Sequence, residues 1–300
     1  MSDQAERLRH LVESRMQGAP DMPLRPDNER ETRVITVTSG KGGVGKSNFT
    51  LNFSIALQQL GYRVLIFDAD IGLANIDVLM GLSPNYSLYH LLKKEKSIFD
   101  IVQIGYGGVR FIAGGSGFTD LLRLSESELN EFAEQVSLLN GHFDYILFDT
   151  GAGLSKETMK FILAAHETFV VTTPEPTSLT DGYAIIKMVH QQEEAVQFRL
   201  VINRVTDEQE GKATAEKISL VAKRFLDIDI PTLGYVTDDS HVSRAVRRQI
   251  PFTAAYPNSD AAREIMSIAE RYAGMNRLKR ESSSGIKGFL SKMLRLLNNS

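Results

Sequence analysis

Short runs of β-branched and apolar residues recur along the chain, and longer amphipathic stretches separate them. The runs are "RVITVTS" (33–39), "RVLIFDA" (63–69), "VRFIAGG" (109–115), "DYILFDT" (144–150), "TFVVTTP" (168–174), "FRLVINR" (198–204) and "PTLGYVT" (231–237). Strands that are apolar throughout, rather than alternating, belong to a parallel sheet covered on both faces. Between them, 47–60, 125–139, 155–165, 178–192 and 211–226 read as amphipathic helices, and a helix near 258–273 closes the series. The rhythm predicts an α/β fold: a doubly wound, mostly parallel sheet with helices on both faces. Ligands of such sheets bind at the carboxyl ends of the strands, so the residues just after each run are the candidates for chemistry.

The two ends depart from this rhythm and divide the chain into 1–31, 32–275 and 276–300. Residues 1–16 predict a short, weakly amphipathic helix. Residues 17–31, "QGAPDMPLRPDNERE", hold three of the nine prolines and predict a flexible linker. Residues 276–285, "NRLKRESSSG", read as a polar hinge. Beyond it Ile286, Phe289, Leu290, Met293, Leu294 and Leu297 follow the spacing of one helical face, while Lys287, Lys292 and Arg295 occupy others. A basic amphipathic helix on a hinge predicts a membrane-surface element. The same pattern also fits a helix docked on the domain's own core.

Composition mainly excludes. Of 300 residues, 42% are apolar and 24% charged, which is ordinary for a soluble globular protein. A net charge of −3 leaves no global nucleic-acid footprint, so no nucleic-acid partner is expected. The positive charge gathers instead at residues 277–300, where six basic residues face Glu281 alone. The absence of cysteine excludes a disulfide scaffold and a Cys-ligated iron–sulfur cluster. No secretory pattern and no membrane-spanning run is present, which predicts a cytoplasmic protein.

The strongest chemical signal follows the first strand. "GKGGVGKS" (Gly40 to Ser47) fits GxxxxGK[ST] in the strand–loop–helix context that a phosphate-binding loop needs. Gly40, Gly42, Gly43, Val44 and Gly45 supply a backbone that can fold around phosphates, with Asn48 in the helix that follows. Lys46 neutralises the β- and γ-phosphates, and the Ser47 hydroxyl ligates Mg²⁺. Asp149 ends "YILF" as a Walker B aspartate should, and Asp68 and Asp70 end "VLIF" in the same way. Lys41 is a second lysine in the same loop. Taken alone, it reads as a solvated loop charge.

The whole stretch resembles the deviant Walker A box of the MinD/ParA family of ATPases, and the resemblance covers roughly 33–275. It implies that Lys41 reaches across a homodimer interface to the partner's nucleotide, a trans-acting catalytic cation beside Lys46. "FDADIGLANIDVLMG" (67–81) resembles switch I. Asp70 there implies the residue that orients the attacking water, and Asp68 one that holds Mg²⁺ through water, with Ser47 and Asp149. "FDTGAG" (148–153) resembles switch II, with Gly151 where many members have proline. "VINR" (201–204) places Asn203, beside Arg204, where the family reads the base. A carboxamide can pair with the N6 and N7 edge of adenine. Arg204 follows Asn203 and Thr206 stands where a GTPase motif needs Asp, so ATP is favoured over GTP.

"DQAERLR" (3–9), the Pro-rich linker, "DTGAG" and the basic tail together resemble the FlhG (YlxH, FleN) branch, the MinD-like regulators of flagellar number and placement. That branch implies an ATP-bound homodimer on the inner, anionic face of the cell membrane. It also implies two partners: the GTPase FlhF, met through Gln4, Arg7 and Arg9, and components of the flagellar C-ring. Without the resemblance, residues 3–9 read as a solvated terminus. The alternatives are a ParA-type DNA-partitioning ATPase, a MinD-type division-site regulator and a metabolic P-loop enzyme.

Overall fold

The seven apolar runs become strands of one sheet. A computed structural model of the chain describes residues 32–70, 75–115, 125–192, 196–278 and 285–298. The strands are β1 (Arg33–Ser39), β2 (Val64–Ala69), β4 (Arg110–Ile112), β5 (Tyr145–Ala152), β6 (Glu167–Thr172), β7 (Phe198–Val205) and β8 (Thr232–Thr237). A two-residue strand, β3 (Gln103–Ile104), had no apolar run to announce it. The sheet order is β3-β4-β2-β5-β1-β6-β7-β8, parallel except for the β3–β4 pair. β2 and β6 are buried throughout, as strands covered on both faces must be. β1 lies between β5 and β6, so chain order reverses around it. The crevice over its carboxyl end is where such sheets take ligands.

The helices are α1 (Lys46–Gln59), α2 (Ile76–Met80), α3 (Leu88–Leu92), α4 (Glu126–Ser137), α5 (Lys156–Ala164), α6 (Pro176–His190), α7 (Glu208–Leu226), α8 (Ser240–Arg247), α9 (Phe252–Ala255), α10 (Asp260–Leu278) and α11 (Gly285–Asn298). Their periodic apolar faces cover the sheet. On one side α1 and α10 pack together, and Phe49, Phe53, Phe169 and Tyr272 form an aromatic cluster between them and the sheet. At the amino ends of the strands, away from the crevice, buried Glu167 pairs with Arg33 and Arg199 and accepts a 2.7 Å bond from the Tyr272 hydroxyl. That cluster ties β1, β6, β7 and α10 together at the end of the sheet away from the crevice.

The other side holds the helix expected at the membrane. α11 is a helix, as predicted, but its apolar face packs on α4, α5 and β1. Ile286, Phe289, Leu290 and Met293 are 0%, 3%, 5% and 4% exposed, and Leu294 and Leu297 pack at the edge of the same core. Phe289 stacks on Phe148 of β5 with ring centroids 4.9 Å apart. The physical reason is the groove between α4 and α5, which offers the helix an apolar surface within the same chain. The face predicted for lipid is therefore covered here. Residues 279–284 of the hinge, and the N-terminal segment with Gln4, Arg7 and Arg9, lie outside the described residues.

Candidate nucleotide-binding site

β1 ends at Ser39, and α1 begins at Lys46 with Gly45 as its N-cap. Gly43 (φ 80°) and Gly45 (φ 92°) hold left-handed backbone that residues with a Cβ rarely adopt. Gly45 is further constrained, because a Cβ there would collide with the amide of Asn203. Gly40 is needed for a different reason: a Cβ would strike the backbone of Asp181 on α6. The loop thus wraps a cavity of about 850 Å³ lined by Gly42, Gly43, Val44, Gly45, Lys46, Ser47, Asn48, Asp70 and Gly151. A second cavity of about 640 Å³ shares Gly45, Asn48 and Arg204 with it and runs past Asn203 to the loop after β8. One holds room for phosphates at the helix N-terminus, and the other has room for a base.

The charged groups meet at the strand ends. β2 and β5 pair in register, with Asp68 opposite Asp149. Lys46 Nζ lies 2.9 Å from Asp149 Oδ1 and 3.3 Å from Ser47 Oγ. Thr50 Oγ1 is 2.8 Å from the same Asp149 oxygen. Asp149 Oδ2 is buried and has no hydrogen-bond partner among the described residues. Asp149 and Ser47 both meet Lys46, and a carboxylate with an orphaned oxygen together with a serine hydroxyl is a donor set that suits a hard divalent cation, so the residues present fit Mg²⁺.

Asp68 has a different occupation from the one expected. Its Oδ2 accepts the N–H groups of Asn75 (2.8 Å) and Ile76 (3.0 Å), and its Oδ1 accepts that of Asp70 (3.3 Å). It fastens the start of α2 and, like Asp149, is buried next to the cavity rather than part of its lining. Burial first, and then the neighbouring Asp149, push its carboxyl up to about 7. Asp70 does line the cavity. Its carboxyl is raised by burial and by Asp149, against the pull of Lys46. A Cβ on Gly151 would come 3.1 Å from Asp70 Oδ1, so glycine in switch II leaves this carboxylate the room a bulkier residue would take.

Lys41 stands apart from Lys46. Its side chain is 42% exposed, and its Nζ pairs with Glu175 Oε2 at 2.9 Å and with Thr177 Oγ1 at 3.2 Å. The Lys41 bond and charge hold the Glu175 carboxyl below its usual range. Asn203 faces the base cavity with its Nδ2 committed to Val44 O at 2.7 Å. That bond uses one of the two Nδ2 hydrogens, so the amide oxygen and the second N–H remain to meet a base. An acceptor suits the N6 amino group of adenine and opposes the O6 of guanine. Arg204, at φ 57°, lines both cavities.

Three contributions were not anticipated: Thr50 against Asp149, Glu175 and Thr177 against Lys41, and Ser155 and Thr158 in the cavity wall. Thr50 carried a faint signal, since it lies one helical turn beyond Lys46. The others depend on which loops meet at the crevice.

A model of the ParA family, described as NUBPL iron-transfer P-loop NTPase, matches residues 30–273. The antiactivator FleN of Pseudomonas aeruginosa is 36% identical over 239 residues, which are 80% of this chain and 85% of FleN. The flagellum site-determining protein YlxH of Helicobacter pylori is 36% identical over 279 residues, 90% of this chain and 92% of YlxH. Among solved structures, the septum site-determining protein MinD of Pyrococcus horikoshii, complexed with Mg-ADP, superposes with a TM-score of 0.67 at 26% identity. That match covers 84% of this chain and 100% of the MinD chain.

Proposed function

The chain belongs to the ParA family of P-loop NTPases and is an ATPase; on that premise we propose that it is a nucleotide-switched regulator of flagellar number and placement. The flagellar assignment draws on FleN and YlxH, both 36% identical over most of this chain. Lys46 and Ser47 would hold Mg²⁺–ATP in the loop, with Asp149 supporting the metal, which would offset phosphate charge, and Asp70 would orient the attacking water. Lys46 exchanges Asp149 for the phosphates as nucleotide enters. The name of the family model mentions iron transfer, but this chain has no cysteine to offer a thiolate ligand.

The observation that carries the switch is Lys41. It does nothing for its own chain's cavity and is held on Glu175 and Thr177. In the ATP-bound homodimer it leaves Glu175, reaches the partner's phosphates and supplies charge to the transition state in trans, as an arginine finger does. Light scattering tests this. The expected result is a monomer with ADP and a dimer with ATP. Lys46→Ala should lose nucleotide binding. Lys41→Ala should keep it and lose dimerisation or hydrolysis, while Asp70→Ala should dimerise and hydrolyse poorly. A single mass under every nucleotide ends the switch reading.

The dimer acts on an anionic membrane surface, on the GTPase FlhF and on flagellar C-ring components. Gln4, Arg7 and Arg9 meet FlhF, Gln to orient water and Arg to stabilise phosphoryl-transfer charge. A peptide of residues 1–20 should raise FlhF's GTP hydrolysis, and Gln4→Ala should blunt it. No stimulation by the intact chain removes this partner. The lipid-binding element is α11, which cannot serve lipid and its intramolecular groove at once. Membrane binding therefore requires undocking, and ATP is the signal that drives it.

A further inference from the structure

Thr50 sits on the buried face of α1, and its hydroxyl has two neighbours. Lys46 O, one helical turn back, is 3.0 Å away, and Asp149 Oδ1 is 2.8 Å away. A hydroxyl has one proton to give. The carboxylate is the closer acceptor and, being charged, the stronger one. The proton therefore goes to Asp149 and not to the helix backbone.

Without nucleotide that bond is redundant, because Lys46 Nζ holds the same oxygen at 2.9 Å. When Lys46 moves to the phosphates, the redundancy ends and Oδ1 keeps Thr50 alone. The other oxygen, Oδ2, is buried and has no partner among the described residues. A carboxylate held by one oxygen presents the other in a fixed direction.

We propose that Thr50 is a positioning residue for the Mg²⁺ site: its hydroxyl takes over Asp149 when Lys46 leaves, and aims Oδ2 at the metal's water shell. This rests on the Mg²⁺–nucleotide reading of the cavity. Thr50 touches neither nucleotide nor metal and acts only through Asp149. Side chains that orient a metal's carboxylate partners in this way commonly tune metal affinity rather than create it.

The test is Mg²⁺ titration of fluorescent mant-ADP binding to the full chain, with Thr50→Val and Thr50→Ser beside the wild type. Valine keeps the shape and loses the hydroxyl, and serine keeps the hydroxyl and loses the methyl. In EDTA all three should bind mant-ADP alike. In the titration, Thr50→Val should need about tenfold more Mg²⁺ for half of the affinity gain, and Thr50→Ser should stay within about twofold of wild type. Wild-type Mg²⁺ dependence in Thr50→Val overturns the proposal. So does equal impairment of both variants, which would assign the effect to packing, and so does a loss already present in EDTA. A wild type that gains no affinity from Mg²⁺ would sink the metal reading itself, and the proposal with it.

Discussion

Asp68 is a buried carboxyl that stays protonated up to about pH 7. Its pKa is above the ordinary 3.8, so the fold binds its proton more tightly than the unfolded chain does. Stability from this residue is therefore greatest below pH 4. It falls as pH rises from about 4 to about 7, and then levels, at a total cost of roughly 4 kcal/mol. Asp68→Asn keeps an acceptor for the Asn75 and Ile76 N–H groups and removes the charge beside Asp149. The nucleotide-free variant should melt near the wild type at pH 4 and above it at pH 8. If Asp68→Asn melts lower at pH 8, the burial penalty is not what governs this residue. Only part of this was legible beforehand. An aspartate ending an apolar strand announces a residue at the crevice. Which way its carboxylate turns depends on the three N–H groups of Asp70, Asn75 and Ile76, contacts that have no periodic signature in the sequence.

Elements were more legible than side-chain directions, and β5 with α11 shows why. "YILFDT" announces a strand by composition, and the tail announces a helix by spacing. Neither says what covers the helix, because an apolar face is equally suited to lipid and to protein. The deciding fact is the groove formed by α4 and α5, two elements far from the tail in sequence. Once docked, α11 is held by four large buried side chains, each contributing about 1.5–3 kcal/mol. Its amides should then be protected from hydrogen exchange with ADP and lose protection with ATP in solution. Unchanged protection in both states would mean that α11 is a permanent part of the domain. The short β3 and α2 escaped the sequence reading because two- and five-residue elements do not complete a recognisable period.

At the scale of the molecule, nucleotide, dimerisation and lipid would act in series. A single released helix binds weakly, since ordering it on a membrane costs backbone entropy. Two released helices on one dimer make the second contact intramolecular, which raises avidity by about 10²–10⁴. ATP should therefore drive the chain onto anionic liposomes at concentrations where ADP leaves it in the supernatant. Phe289→Glu places a charge on the contact face and should stay unbound with either nucleotide, in a co-sedimentation assay. Equal pelleting of the wild type with ADP and ATP would break the series.

The stack of Phe289 on Phe148 also gives the molecule an optical handle. The chain contains no tryptophan, so Phe289→Trp would place a lone indole at the contact between tail and sheet. On the opposite face of β5, one residue along, stands Asp149 with Lys46. Emission from that indole would be blue and shielded from aqueous quenchers while the helix is docked, and red and quenchable once it is free in water. On lipid it would turn blue again, but open to quenchers dissolved in the bilayer. One spectrum can thus separate three locations of the same side chain, without a label and without a second protein.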